Sequence, residues 1–254
     1  MDFNKSIKPS VFLFILGFVG IVSIVPFIPN LLALQSAPLP LTVEMIQVVS
    51  VIQSSVLLLF LVGLGSVFSK KVGLSSPVIF ALAHSENALK ELKPQIIPAI
   101  IGGIVGGVFL LALLGTFSSY LPAEFLSAGE KLMPPWYTKL LYGGITEELL
   151  IRWGLMSFFV WGMYRLTQKS GSDIRSHNYI LAILVSSLIF GLGHLPIAFA
   201  LSPEITAPLV AYIILGNASF GFIAGYLYWK RGLECAIGAH MVAHLTMIVG
   251  ANFA

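Results

Sequence analysis

Residues 143–154, Gly-Gly-Ile-Thr-Glu-Glu-Leu-Leu-Ile-Arg-Trp-Gly, set two adjacent carboxylates and a guanidinium in an otherwise apolar run. Two neighbouring carboxylates in poorly solvated surroundings repel each other, and burial disfavours charge on both. On a helix Glu148 and Arg152 stand four residues apart on one face and can pair. Glu147 lies about 100° round the helix and is left to point elsewhere, where it can act as a general base. The bland alternative is a Glu148–Arg152 lock between helices, which has no need of Glu147.

Two later stretches carry the other groups that could do chemistry. Phe190-Gly-Leu-Gly-His194-Leu-Pro196 puts an aromatic ring and an imidazole on one helical face, with glycines thinning the helix around the histidine. Taken alone, His194 reads equally well as a hydrogen-bonded packing residue. Gly238-Ala-His240-Met-Val-Ala-His244 places two imidazoles at i and i+4, a spacing that suits a shared metal ion or a shared substrate oxygen. It is not a His-Glu-x-x-His motif.

The elements that must position these groups are membrane helices. The 254 residues are 57% hydrophobic and 10% charged, against roughly 25% charged in soluble domains, and the mean hydropathy is +0.94. A span needs ~20 apolar helical residues. About seven such runs lie near residues 11–35, 46–68, 96–118, 136–164, 178–200, 206–229 and 233–253. The apolar part of 74–95 is too short to cross and reads as an interfacial or re-entrant helix, with an eighth span as the alternative. The expected fold is therefore an all-α polytopic transmembrane bundle, a single integral membrane domain over 1–254, with its motif-bearing core over about 136–250. The first apolar run reads as a retained anchor, without a convincing small-residue cleavage site. Cys235 is the only cysteine, which excludes an internal disulfide and a cysteine-based zinc site. The net charge of +3 is spread over loops with no basic stripe, so no nucleic-acid partner is expected.

Lysine and arginine placement sets the orientation. With a cytoplasmic N-terminus, Lys5, Lys8, Lys70, Lys71, Lys90, Lys93, Arg165, Lys169, Arg175, Lys230 and Arg231 all fall on the cytoplasmic side. Only Lys131 and Lys139 fall outside, together with Glu44, Glu124, Glu130 and Glu204. Close helix contacts are signalled by Gly102, Gly103, Gly106 and Gly107, read as two overlapping Gly-xxx-Gly pairs on one face, and by Gly221 and Gly225.

Ionisable groups at membrane depth cost about 2.5–3.5 kcal/mol each and are functional by default. Outside the loops they are expected to be Glu147, Glu148, Arg152, His194, His240 and His244. The three charges of the opening run would together cost roughly 9 kcal/mol if unpaired, so they are expected to meet the histidines at an internal, wetted cavity. Ideal helices do not deliver that meeting. At ~1.5 Å per residue, Glu147 falls ~15 Å below the outer surface and His194 ~10 Å, whereas His240 falls ~10 Å from the inner one. Breaks or tilts near Gly193, Pro196 and Gly238 would reconcile the depths.

The ordered set Glu147-Glu148-x-x-x-Arg152, Phe190-x-x-x-His194 and His240-x-x-x-His244 resembles the CAAX protease and bacteriocin-processing (CPBP) family. These are multi-span intramembrane endopeptidases that include the type II CAAX prenyl endopeptidases. The resemblance covers about 136–250; the first three spans are similar only in kind. It implies that Glu147 with His194 activates the attacking water and that Glu148 and Arg152 support that pair. It implies further that His240 and residue 244 steady the oxyanion, with Phe190 beside the substrate. Histidine at 244 departs from the asparagine usual in the prenyl endopeptidases. Two chemistries stay open: a metal-free general base at Glu147, or Zn²⁺ held by Glu147 or Glu148 with His194, His240 and His244, as the name metalloprotease would have it. The first is favoured, since a histidine between glycines and a proline is loosely held for a ligand. The expectation is an endopeptidase of the cell membrane acting on a membrane-associated or C-terminal peptide. Its rivals are a catalytically silent scaffold or bacteriocin-immunity protein, and a small proton-coupled carrier.

Overall fold

The computed structural model describes residues 4–33, 41–169 and 171–251; the span ends expected at 35 and 253 lie outside them. Among the described residues every regular element is helical. In chain order these are α1 (Asn4–Ile24), a 3₁₀ turn (Val25–Phe27), α2 (Ile28–Leu32), α3 (Val43–Phe68), a 3₁₀ turn (Ser69–Val72), α4 (Pro77–Ala83), α5 (Ala88–Phe117), a 3₁₀ turn (Ser118–Tyr120) and α6 (Ala123–Lys131). There follow α7 (Trp136–Thr138), π1 (Lys139–Glu147), π2 (Leu149–Met156), α8 (Ser157–Thr167), α9 (Ser176–Gly193), α10 (Leu195–Leu201), α11 (Ala207–Arg231) and α12 (Leu233–Gly250).

Among the described residues six helical stretches are long and apolar enough to cross a bilayer: Ile7–Leu32, Val43–Val72, Ala88–Tyr120, Ser176–Leu201, Ala207–Arg231 and Leu233–Gly250. Their outward faces carry Phe60, Leu59, Ile97 and Ile101, each more than half exposed. Such a girdle would aggregate in water and is at home against lipid. The chain is a multi-pass membrane protein. The fourth expected span, 136–164, is not among the six. Instead α7, π1, π2 and α8 run on as one rod, wound wider over 139–156. In a π-helix each carbonyl bonds five residues on, so the rod gains girth and loses length. Side chains follow the same spacing: Thr146 Oγ1 lies 3.5 Å from the Leu141 carbonyl and Ser157 Oγ 3.5 Å from that of Arg152.

The rod is pinned on several sides. Thr138 and Thr146 donate to the carbonyls of Ser23 and Gly17 on α1, each at 2.8 Å. Trp153 Nε1 donates to the Val62 carbonyl on α3 at 3.2 Å, and Ser157 Oγ meets Tyr228 Oη on α11 at 2.8 Å.

The region 74–95 is neither a span nor one interfacial helix. It divides into short α4 and the first turns of α5, which begins eight residues before the expected 96 because Asn87 Oδ1 caps it, accepting from Lys90 N–H at 3.2 Å. The glycines of α5 also serve two faces rather than one. A Cβ at Gly103 or Gly107 would strike Val242 or Thr246 on α12, whereas one at Gly102 or Gly106 would strike Leu227 or Phe220 on α11. Adjacent helical residues are about 100° apart, so each Gly-xxx-Gly pair seats its own partner helix.

Candidate active site

The π-wound rod sends its two neighbouring carboxylates into different surroundings. Glu148 is fully buried and Arg152 nearly so. Glu148 Oε1 lies 3.1 Å from Arg152 Nη1 and 2.8 Å from His240 Nδ1 on α12. A carboxylate only accepts, so His240 donates through Nδ1. The Arg152 guanidinium is 4.8 Å from the centre of the Phe190 ring, a cation–π contact. Glu147 is 18% exposed and faces a cavity of about 450 Å³.

His194 reaches that cavity through a break in its helix. α9 stops at Gly193 and α10 starts at Leu195, with His194 between them at φ −89°, ψ −11°. Pro196 has no N–H and its ring excludes a regular helix across this point, so the break expected near Gly193 and Pro196 is there. His194 Nδ1 lies 2.8 Å from the Phe190 carbonyl, so it carries the hydrogen. Nε2 is then the bare nitrogen, and it stands 3.8 Å from Glu147 Oε1. At Gly238 no break occurs: α12 runs unbroken from Leu233 to Gly250. The shortened rod and the broken α9 bring the depths together without it.

The histidines of α12 form the third wall. The rings of His240 and His244 stack at 4.8 Å between centroids and 14° between planes. Gly143 makes room for them, since a Cβ there would stand 2.5 Å from His244 Nε2. Phe190 sits edge-on to both His194 and His240, with centroids 4.7 and 6.1 Å away. It lines the cavity yet is 5% exposed, so its ring spaces the two imidazoles as well as bordering the site.

The structure thus brings Glu147, Glu148, Arg152, Phe190, His194, His240 and His244 to one place. The candidate zinc set Glu148, His194, His240 and His244 does not fit a zinc ion. Zinc needs donors about 2.0–2.2 Å away on four sides of one point. Glu148 Oε1 is instead engaged by a guanidinium and by His240, and the two α12 imidazoles lie face to face. Among the described residues no three His, Cys, Asp or Glu side chains are grouped to hold a metal ion.

Three residues at the site are not charged groups within spans and so do not stand out in the sequence by that criterion. Asn217 of α11, Tyr142 and Thr138 also line the cavity. Asn217 Nδ2 donates to the Ile213 carbonyl at 2.9 Å; an amide within an apolar helix is the polar signal that marks it in the sequence. Lys139, expected in an outer loop, is the first residue of π1 and borders the cavity. Away from the site, Glu234 was also missed. It is buried beside the start of α12, and its Oε1 accepts from Ser76 Oγ at 2.6 Å and Ile79 N–H at 2.9 Å.

Fold and site together define a polytopic helical membrane protein with a carboxylate–histidine cavity between its helices. Residues 129–246, which include every motif residue, match the family model for the type II CAAX prenyl endopeptidase Rce1-like proteins. The first three long helices lie outside that match. Neither the curated proteins nor the solved structures return a match.

Proposed function

We propose that the chain is an intramembrane endopeptidase of the CPBP type, hydrolysing a peptide bond through water activated by Glu147 and His194. The observation that carries this is the 3.8 Å between Glu147 Oε1 and His194 Nε2 on the cavity wall. Both atoms are acceptors and the distance is too long for a direct hydrogen bond, but it suits a water donating one hydrogen to each. That water keeps a lone pair directed into the cavity.

In the first step the water oxygen bonds to the substrate carbonyl carbon and its proton passes to Glu147. The carbonyl oxygen gains charge, and a ring N–H of His244 is the donor beside it, while His240, whose Nδ1 hydrogen goes to Glu148, holds the neighbouring ring in its stack. In the second step the carbon–nitrogen bond breaks and the leaving amine takes the proton back. Glu148 and Arg152 touch no reacting atom; they fix His240 through Nδ1 and balance charge behind the wall. A substrate helix must unwind to offer its carbonyl, so cleavage falls at helix breakers or near a chain terminus. The match to endopeptidases over 129–246 supports the reading independently of the geometry, and the cell membrane is the proposed location.

The test is cleavage in reconstituted liposomes by the wild type and by Glu147→Ala, His194→Ala and Arg152→Ala, with substrates drawn from peptides whose abundance changes in cells when Glu147 is replaced. Loss of product in all three supports the proposal. Unchanged fragments and an intact cellular role in all three would mark a scaffold and overturn it.

A further inference from the structure

We infer that the cavity opens on the extracytoplasmic side and takes its peptide from there, so the substrate class is a membrane-anchored or exported peptide whose scissile segment lies outside. This rests on the proteolytic reading for the word substrate, but not for the direction of the opening.

The cavity is lined at its wider reaches by Phe27 and Leu31 beyond the end of α1, by Leu132 and Pro134 ahead of α7, and by Ile197 and Leu201 on α10. These positions all belong to one end of the up-and-down helices. The cations belong to the other: Lys8 near the start of α1, Lys70 and Lys71 after α3, Lys90 and Lys93 at the start of α5, Arg165 at the end of α8, and Lys230 and Arg231 at the end of α11. Eleven of the fourteen lysines and arginines fall at this basic end by sequence position, and such a bias marks the cytoplasmic side.

The basic end is also closed under the site. Leu233 N–H at the start of α12 donates to the Ser75 carbonyl at 3.0 Å, and the Glu234 carboxylate caps α4 through Ser76 and Ile79. Gly232, at φ +114°, turns α11 into α12 in one residue, so tightly that a Cβ would stand 2.7 Å from Pro77 Cδ. Tyr179 Oη of α9 donates to the Val72 carbonyl at 2.6 Å. A smaller cavity at this end, about 290 Å³ and bordered by Lys70, Glu86 and Glu91, shares no lining residue with the catalytic one. A peptide coming from the basic side would have to part these contacts; one from the opposite side meets, among the described residues, the mouth formed by Phe27, Leu31, Leu132, Pro134, Ile197 and Leu201.

The experiment places single cysteines in a Cys235→Ala background, Leu201→Cys at the mouth and Lys90→Cys at the basic end, and labels them with a membrane-impermeant maleimide. In right-side-out vesicles Leu201→Cys is expected to label and Lys90→Cys to stay dark, with the pattern reversed in inverted vesicles; Leu132→Cys replaces Leu201→Cys if that variant does not fold. Labelling of the mouth cysteine only from the basic side overturns the inference, whatever the protein's activity. The same cells supply peptide fragments for the wild type and Glu147→Gln: fragments from extracytoplasmic segments support the substrate class, and fragments only from cytoplasmic segments overturn it. Outside labelling with identical fragments in both strains removes the proteolytic reading and its substrate while leaving the direction of opening in place.

Discussion

Glu147 and Glu148 are neighbours in the chain and opposites in the structure. Glu147 belongs to a wall of single, lightly held polar groups facing open space: its own carboxylate, the bare Nε2 of His194 and the outer imidazole of α12, His244. Glu148 belongs to a sealed cluster in which Arg152 and His240 engage the same carboxylate oxygen behind that wall. One helical step separates a group left available for proton transfer from a group committed to holding its neighbours. Under the proposed function the charges serve two purposes, reaction in front and support behind, and substitutions on the two sides should then fail in different ways.

The largest effect should come from the front. Glu147→Gln keeps the shape and removes the base, so turnover should fall by roughly 10²–10⁴-fold while the thermal unfolding midpoint in detergent stays where it was. A large fall in that midpoint would erase the distinction between the two carboxylates. Next comes the back. Arg152→Ala leaves a buried carboxylate without its cation, and removing one partner of a buried pair costs about 3–5 kcal/mol. Unfolding should move down sharply, with activity lost as a consequence; a variant as stable as the wild type would show that Glu148 does not depend on Arg152.

Gly143→Ala tests the seating between the two regions. Its methyl would press on His244, and a misplacement of about 1 Å costs on the order of 100-fold in rate. Turnover should fall by up to that factor with the helices still assembled, as read by circular dichroism. The smallest effect is expected at Asn217→Ala on the cavity lining: a few-fold change in turnover and a stability change within about 0.5 kcal/mol.

Much of this contrast was legible before any coordinates. Charge in apolar surroundings is expensive, so Glu147, Glu148, Arg152, His194, His240 and His244 stand out from the composition alone, and the i, i+4 spacing pairs Glu148 with Arg152. Gly193 and Pro196 announce a break through the limits of proline geometry. The π-wound rod was not legible, because a segment apolar nearly all round carries no stripe from which to distinguish 3.6 residues per turn from a wider winding. The predicted break at Gly238 compensated for a shortening that the rod itself supplies. The glycines of α5 are not the single face their overlapping spacing suggests, because helical rotation separates adjacent pairs. Glu234 was passed over because a carboxylate at a helix start is ordinary, and only the fold shows α4 packed on it.

The central claim is that the hydrolytic proton acceptor is Glu147 in front and not Glu148 behind. Purified Glu147→Gln and Glu148→Gln, reconstituted in liposomes and compared for cleavage of the same peptide and for thermal unfolding, test it most directly. Glu147→Gln is expected to be folded and silent, and Glu148→Gln to unfold earlier but retain cleavage in proportion to its folded fraction. A Glu147→Gln variant that still cleaves at the wild-type rate would contradict it.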